Sequence, residues 1–354
     1  MSDSCKSNAK IMDVTLRDGS YAINFQFSDA DTRNITRDLS NAGIRYVEIG
    51  HGMGLRASSE KNGLSLCSDE EYLEAAQEAA GDAKYGMFCI PGNADVKDLS
   101  ILKKYGASFV RIGTNVNEVE KSEKYIKYAK DLGLEVFANY MKSYCATPEQ
   151  FQKDVELSSS YGADCVYIVD SAGSMTIRDI KKYYDAVRNV SDIKIGFHGH
   201  NNLGLAVANS LYCYENGFDF VDCSLMGMGR SAGNASTELL VANLIKQDGD
   251  KQYDCKSLTE ISYQYIRPIF HHTMNALDIY CGIAEFHTSY LKNIHKVASK
   301  YNVNPLLLIM KYSEYDKINM DEDKLCEIAA NLPKDLDCNM SQYGFNEYYG
   351  SEQK

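Results

Sequence analysis

Two histidines one residue apart close an apolar run, Ile193-Lys194-Ile195-Gly196-Phe197-His198-Gly199-His200. Strand side chains alternate with period two, so in a strand both imidazoles would project to one side and could reach one ion. An isolated pair of this kind is more often a polar turn after a strand. A second stretch shifts the balance: Thr15-Leu16-Arg17-Asp18-Gly19 breaks another apolar run with an arginine and a carboxylate. Asp18 would complete a site of two imidazoles and one carboxylate that keeps coordination positions open. Such a set suits Mn²⁺ first, with Mg²⁺, Co²⁺ or Zn²⁺ as alternatives. An ion of this kind can chelate a 2-oxo acid through its carboxylate and keto oxygens, which makes the neighbouring carbon acidic. Arg17 would set a fixed positive charge against the oxygen that gains charge as an enolate forms. Its plainer reading is a salt bridge.

The elements that must position these groups alternate regularly. Short apolar runs at Lys10–Leu16, Tyr46–Gly50, Lys84–Ile90, Phe109–Gly113, Glu135–Tyr140, Cys165–Val169, Ile193–Phe197 and Phe220–Ser224 read as strands. Between and after them, Asp29–Ala42, Asp69–Ala80, Ser122–Leu132, Pro148–Tyr161, Ile177–Asn189, Leu203–Glu215 and Thr237–Ile245 have helical periodicity, several closed by a glycine such as Gly43 or Gly162. Eight strand-helix units over some 250 residues predict a closed (β/α)8 barrel. From about Tyr253 the alternation stops. Ser262–Ile279, Phe286–Tyr301, Pro305–Lys311 and Met320–Leu332 read as helices, so the expected organisation is a catalytic barrel over 1–252, a smaller all-helical domain over 253–341 and a terminal extension over 342–354.

In such a barrel the active site lies where the strands end. Arg17 and Asp18 end the first run, Asn139 and Tyr140 the fifth, Ser171 follows the sixth, and His198 and His200 the seventh. All are expected at one mouth, with Ser171, Asn139 and Tyr140 available to bind substrate.

Composition limits the partners. The 354 residues carry a formal charge of -12, which argues against nucleic acid. No run approaches a membrane span, and the first ten residues are too polar for a secretory signal, so a cytoplasmic protein is expected. Eleven cysteines are scattered singly without a C-x-x-C pair, which predicts reduced thiols.

Five motifs in order carry a family resemblance: Thr15 to Gly19; Val47-Glu48-Ile49-Gly50-His51-Gly52; Val169-Asp170-Ser171-Ala172-Gly173; Phe197-His198-Gly199-His200-Asn201-Asn202-Leu203-Gly204; and Gly227-Met228-Gly229-Arg230-Ser231-Ala232-Gly233-Asn234-Ala235. Together they resemble the DRE-TIM metallolyase superfamily, and within it the 4-hydroxy-2-oxovalerate (4-hydroxy-2-oxopentanoate) aldolases, over residues 11 to about 303. The resemblance implies a barrel, a divalent metal held by Asp18, His198 and His200, and Arg17 stabilising a pyruvate enolate. It also implies pyruvate and an aldehyde as products, a homo-oligomer, and pairing with an acylating aldehyde dehydrogenase. Asn234 matches a metal ligand of the hydroxymethylglutaryl-CoA lyase branch, but in the aldolases it stands behind the ligands, and that is the role expected here.

One departure stands out. Where the aldolases place a histidine three residues after the aspartate, this chain has Tyr21; where they bring a tyrosine from the helical domain, the Ser-Tyr-Leu spacing brings His287. A phenol near pKa 10 is a poor base at neutral pH and an imidazole near 6.5 a good one. His287 is therefore expected to be the base and Tyr21 the hydrogen-bond partner. The rivals are a Claisen-type acyl-CoA lyase or synthase of the same superfamily, and a non-catalytic scaffold that has lost its base. Lys194 is weighed as a Schiff-base amine and judged redundant beside the metal set. His271 and His272, read as a tandem pair on a helix, and His295, on a polar helix face, are not expected at the site.

Overall fold

The computed structural model describes residues 9–249, 252–271, 275–336 and 339–345. Eight parallel strands close a barrel in sequence order, the last pairing with the first. They are β1 (Lys10–Asp13), β2 (Tyr46–Ile49), β3 (Lys84–Cys89), β4 (Phe109–Asn115), β5 (Glu135–Met141), β6 (Cys165–Asp170), β7 (Lys194–Gly199) and β8 (Phe220–Cys223). Every apolar run of the sequence is a strand. The first is the one cut shortest, because the backbone N–H groups of Arg17, Asp18 and Gly19 all donate to Val14 O and turn the chain across the barrel mouth.

The surrounding helices are α1 (Asp29–Asn41), α2 (Asp69–Ala79), α3 (Ser100–Lys104), α4 (Glu123–Asp131), α5 (Pro148–Tyr161), α6 (Ile177–Val190), α7 (Ala206–Glu215) and α8 (Thr237–Asp248). Their ends follow local chemistry. Ser28 caps α1 and Ser68 caps α2, each in a reciprocal box with the acidic residue three positions on. Gly162 closes α5 at φ 103°, a conformation that a Cβ would strain. The short α3 and the turn before it carry too few apolar positions for a periodic signal, and sequence reading missed them.

Strand alternation divides the barrel interior into two layers. Tyr46, Phe109, Phe137, Tyr167 and Phe220 face inward and pack edge to face, with Phe137 and Phe220 ring centres 5.0 Å apart. Gly196 and Gly86 make room for them: a Cβ at Gly196 would lie 2.2 Å from the Tyr167 ring, and one at Gly86 2.6 Å from the Phe109 ring. Two residues further along the same strands the inward positions become Glu48, Arg111, Asn139, His198 and Asp222, all buried. An aromatic plug thus lies beneath a polar floor. Outward-facing positions such as Val110, Ile112, Val166 and Ile195 pack against the helices.

After α8 come α9 (Cys255–Ile261), α10 (Ala276–Ala284), α11 (Leu291–Tyr301), α12 (Pro305–Ser313) and α13 (Glu322–Asn331). The last four share a second apolar cluster that includes Leu277, Phe286, Ile294, Ile309 and Tyr312. The helix expected over Ser262–Ile279 is not continuous. A π turn carries α9 to Ile266, just ahead of Pro268, and α10 starts afresh after Asn275, whose side chain caps Leu277 and Asp278 N–H. The helix expected from Phe286 begins instead at Leu291, since Glu285 adopts φ 53° and His287 becomes a cap of the intervening turn. Of the 342–354 segment, Tyr343 packs into the second cluster, and residues 346–354 lie outside the described part. No described helix is long and apolar enough to cross a membrane.

Candidate active site

The polar floor opens into a cleft of about 430 Å³, counting the space open to solvent, at the C-terminal ends of the strands. Arg17, Asp18, Tyr21, Asn139, Ser171, His198, His200 and His287 all line it. These eight residues, expected at one site from the sequence, are brought together by the fold.

Asp18, His198 and His200 each offer a donor atom within 4.8 Å of the others, and all three side chains are buried. The rings are held by their far nitrogens. His198 Nδ1 lies 2.9 Å from Asp222 Oδ2, and His200 Nδ1 lies 3.2 Å from Gly233 O. Carboxylate and carbonyl oxygens only accept, so both N–H groups sit on Nδ1 and the Nε2 lone pairs point to the centre, where that of His200 meets Arg230 Nη2 at 3.1 Å. Burial and the neighbouring Arg230 hold His200 well below its usual pKa, keeping it in the neutral form that binds metal. Burial alone would raise Asp18, but Arg17, His200, His198 and Arg230 outweigh it and hold the carboxyl far below the usual range. Asp18 Oδ2 accepts from Asn234 Nδ2 at 2.8 Å, while Asn234 Oδ1 is buried with no hydrogen-bond partner. One carboxylate, two imidazoles and an orphaned amide oxygen beside them fit a divalent cation.

Arg17 is clamped on two sides, its Nη1 donating to Asp18 Oδ1 and its Nε to Glu48 Oε2, both at 2.7 Å, with the guanidinium 4.8 Å above the Phe88 ring. Glu48 also takes Arg111 Nη1 at 3.1 Å, and Arg111 Nη2 pairs with Asp222 Oδ2 at 2.7 Å. Arg17, Glu48, Arg111, Asp222 and His198 therefore form an unbroken chain of alternating charge that ends in an imidazole. Sequence reading gave no role to Glu48, Arg111 or Asp222. A repeated signal was there to find them: Tyr46-x-Glu48, Phe109-x-Arg111, Phe137-x-Asn139 and Phe220-x-Asp222 each step from the aromatic layer to the polar one.

On the opposite wall, His287 Nδ1 lies 2.6 Å from Ser289 Oγ and 3.3 Å from Ser289 N. Burial first, then Arg230, Lys142 and His200, keep the ring well below its usual pKa and hence uncharged at neutral pH. Tyr21 packs edge-on to Phe25, which stacks on His51 at 3.8 Å. Gly52 lets the ring in, since a Cβ there would lie 2.6 Å from it. Ser171 Oγ accepts from Lys142 N at 3.0 Å, and Asn139 Oδ1 from Arg111 Nε at 3.3 Å.

Tyr140 does not reach the cleft. It is the outward residue between Asn139 and Met141, and its hydroxyl donates to Asp154 O on α5 at 2.9 Å. Lys194 opens β7, at the end of the barrel away from the mouth, where its Nζ meets Glu135 Oε1 at 3.2 Å. That position removes it as a Schiff-base amine. His295 is exposed against Phe345, as its helix face suggested. His271 is exposed in an irregular stretch rather than on a helix, and His272 lies outside the described residues.

The profile of the HMGL-like family matches residues 8–264. The 4-hydroxy-2-oxovalerate aldolase of Carboxydothermus hydrogenoformans is 35% identical over 327 residues, covering 92% of this chain and 97% of that protein. A protein of the same name from Geobacillus genomosp. 3 is 35% identical over 331 residues, 92% of this chain and 98% of the other. Among solved structures, the carboxyl transferase domain of Rhizobium etli pyruvate carboxylase with pyruvate superposes with a TM-score of 0.73 over 92% of this chain and 61% of that one, and at 16% identity it speaks to fold alone. Motifs, barrel and relatives agree, and the chain belongs to the HMGL-like family of DRE-TIM barrels.

Proposed function

We propose that the chain is a divalent-metal-dependent pyruvate aldolase, a carbon-carbon lyase that reversibly splits a 4-hydroxy-2-oxo acid into pyruvate and an aldehyde. The observation that carries the reading is the meeting, in one cleft, of the Asp18–His198–His200 cluster, Arg17 and an uncharged His287. Relatives named 4-hydroxy-2-oxovalerate aldolase, similar over nearly their whole length, support it.

Asp18, His198 and His200 would hold the ion, manganese by preference for this mixed oxygen and nitrogen set, and when bound it supplies Lewis-acid polarisation of the 2-oxo group. Asn234 orients Asp18 from behind. His287 takes the proton from the 4-hydroxyl, the C3–C4 bond breaks, and its electron pair moves into C2–C3 as the aldehyde leaves. Charge accumulates on the C2 oxygen, where Arg17, fixed by Glu48, opposes it at no cost in reorganisation. Protonation at C3 then gives pyruvate. In the structure Nδ1 accepts from Ser289 N–H as the cap of its turn; for His287 to act as base through Nε2 it would give up that bond and donate from Nδ1 to Ser289 Oγ, 2.6 Å away. Tyr21 hydrogen-bonds the substrate's 4-hydroxyl, and Ser171 and Asn139 bind the 2-oxo acid.

The proposed division is a catalytic barrel over 1–252, a helical domain over 253–341 and an extension over 342–354; Tyr253, Leu258, Ile261, Ile266 and Phe270 pack with the barrel, whereas the second apolar cluster runs from Leu277 and takes in Tyr343, which favours a junction near residue 275. A cytoplasmic homo-oligomer that hands its aldehyde to an acylating dehydrogenase completes the proposal. The acyl-CoA and scaffold readings have no feature of the cleft in their favour. Pyruvate release across a panel of 4-hydroxy-2-oxo acids, with and without Mn²⁺, tests the activity; a protein that binds no Mn²⁺ and releases pyruvate from none of them would leave the scaffold.

A further inference from the structure

The turn that carries His287 is pinned to the barrel on both sides. Thr288 Oγ1 accepts at 2.7 Å from Arg230 Nη1, in the loop after β8. Two residues on, the Tyr290 hydroxyl accepts at 2.8 Å from Nζ of Lys142, the residue that directly follows β5. β5 and β8 stand three strands apart in the closed barrel, so the turn is strung between two separate points of the rim. The Lys142 ammonium also donates to Ile318 O, and Tyr290 donates to the same carbonyl. Ile318 lies between α12 and α13 in a loop that is itself fixed: Asp316 Oδ1 accepts from Ile318 N at 2.6 Å, and Tyr312, buried in the second apolar cluster, donates to Asn319 O at 3.0 Å. One side chain thus joins the barrel rim, the His287 turn and the core of the helical layer.

The backbone of Lys142 points to its side chain as the reason a lysine stands there. Its φ of 59° and ψ of 40° lie in the left-handed region, which glycine adopts without strain and lysine does not. The residue is 5% exposed, so its ammonium leaves water to reach Tyr290 and Ile318. Lys142 does not line the cleft; its backbone N–H bonds Ser171 Oγ, which does, and a glycine would keep that bond. What the side chain does for the chemistry therefore passes through the turn. A general base works only within hydrogen-bond reach of its proton, and a displacement of about 1 Å costs up to about 100-fold.

We propose that Lys142 is a positioning residue for the base: acting through Tyr290, it seats the His287 turn over the strand wall. The inference rests on the aldolase reading, and two kinds of readout tell them apart. On the full chain with Mn²⁺, cleavage of 4-hydroxy-2-oxopentanoate and exchange of the pyruvate C3 protons with solvent are measured for wild type, Lys142→Gly, Tyr290→Phe and the double variant. Glycine removes the ammonium while keeping the N–H and suiting the backbone. Hydrogen exchange of the amides over 286–291 is followed by mass spectrometry in the same four proteins.

Lys142→Gly should lower kcat for cleavage by about 10- to 100-fold while leaving C3 proton exchange within about twofold of wild type. It should also speed amide exchange over 286–291 and not in the barrel strands. Tyr290→Phe should move the ratio of the two reactions the same way by less, and the double variant should lose less than the product of the singles, since both cut one connection. Unchanged cleavage in Lys142→Gly with a lowered Tm overturns the proposal, because Lys142 would then serve stability alone. An equal fall in both reactions overturns it too, as does a double variant at the full product. Should Lys142→Gly not fold, Tyr290→Phe, which loses one hydroxyl, decides by the same ratio. A wild type that releases no pyruvate removes the aldolase reading; the seating is then decided by amide exchange over 286–291, kept if Lys142→Gly speeds it there alone and overturned if it stays unchanged.

Discussion

The two walls of the cleft are built on different principles. The strand wall carries Asp18, His198, His200 and Arg17, and its side chains are locked by ion pairs that run to the polar floor. The helix-side wall carries His287 on a cap turn, held by neighbours in sequence and by the Arg230–Thr288 bond beside it. On the proposed reading the first wall would serve the pyruvate half of the substrate and the second would serve C4, so that enolate chemistry would belong to the barrel and proton transfer to what is laid over it.

The largest test breaks the strand wall. Asp18→Asn, His198→Ala or His200→Ala should lose more Mn²⁺ affinity than the roughly 10- to 100-fold typical of outer partners. Each should also lose both aldol cleavage and pyruvate proton exchange, while circular dichroism stays that of the folded barrel. Retained proton exchange would separate enolisation from this cluster.

His287→Ala sharpens the contrast from the other side. Cleavage should fall about 100-fold or more, the range of general-base catalysis, yet pyruvate C3 proton exchange should persist because it has no 4-hydroxyl proton to remove. Cleavage at near wild-type rate would give the base role to Tyr21 or a water. Tyr21→Phe should cost less, on the order of 1 to 3 kcal/mol for one buried hydrogen-bond partner. Tyr21→His combined with His287→Tyr should be more active than either single change.

Arg17→Ala should lower kcat about 100-fold for both reactions, corresponding to roughly 3 kcal/mol of lost charge stabilisation. Arg17→Lys should recover a fraction of it, since the fork to Asp18 and Glu48 is lost. A change confined to KM would reduce Arg17 to a binding group.

The smallest effect lies behind the strand wall and serves as a control on the fold. Asp13 faces α8, and its carboxylate accepts from Thr15 N and Thr237 Oγ1 at 2.9 and 3.0 Å. Burial pushes its pKa up to about 7. The folded chain then keeps a proton that the unfolded chain releases above about 4, so this group favours folding fully at low pH and the benefit is lost as pH rises toward 7. Asp13→Asn should flatten the fall of Tm between those pH values without touching the chemistry.

The two walls were unequally legible in the sequence. His198 and His200 announce themselves by spacing, and Arg17 and Asp18 by breaking an apolar run, because strand alternation converts spacing directly into a shared face. Tyr140 shows the limit of that argument: it is adjacent to Asn139 and points the other way. His287 was reached through a family resemblance alone. A side chain on a cap turn has no period, and the left-handed backbone at Glu285 that creates the turn leaves no mark on composition. Arg111 was missed for the opposite reason, since a charged residue inside an apolar strand looks like an interruption until its partners on β2 and β8 are brought beside it.

Those partners have a consequence for how the protein can change over generations. In the line Arg17, Glu48, Arg111, Asp222, His198, both Glu48 and Arg111 sit between two opposite charges, so replacing either leaves a buried charge stranded, at a cost of about 3 to 5 kcal/mol. Glu48→Gln together with Arg111→Met should be tolerated better than Arg111→Met alone. The floor is therefore inherited as a block and resists drift one substitution at a time. Tyr21, on the turn that starts at Asp18, and Arg230 and His287, on separate loops, lie outside that line, so substitutions there leave the charge balance of the floor as it was.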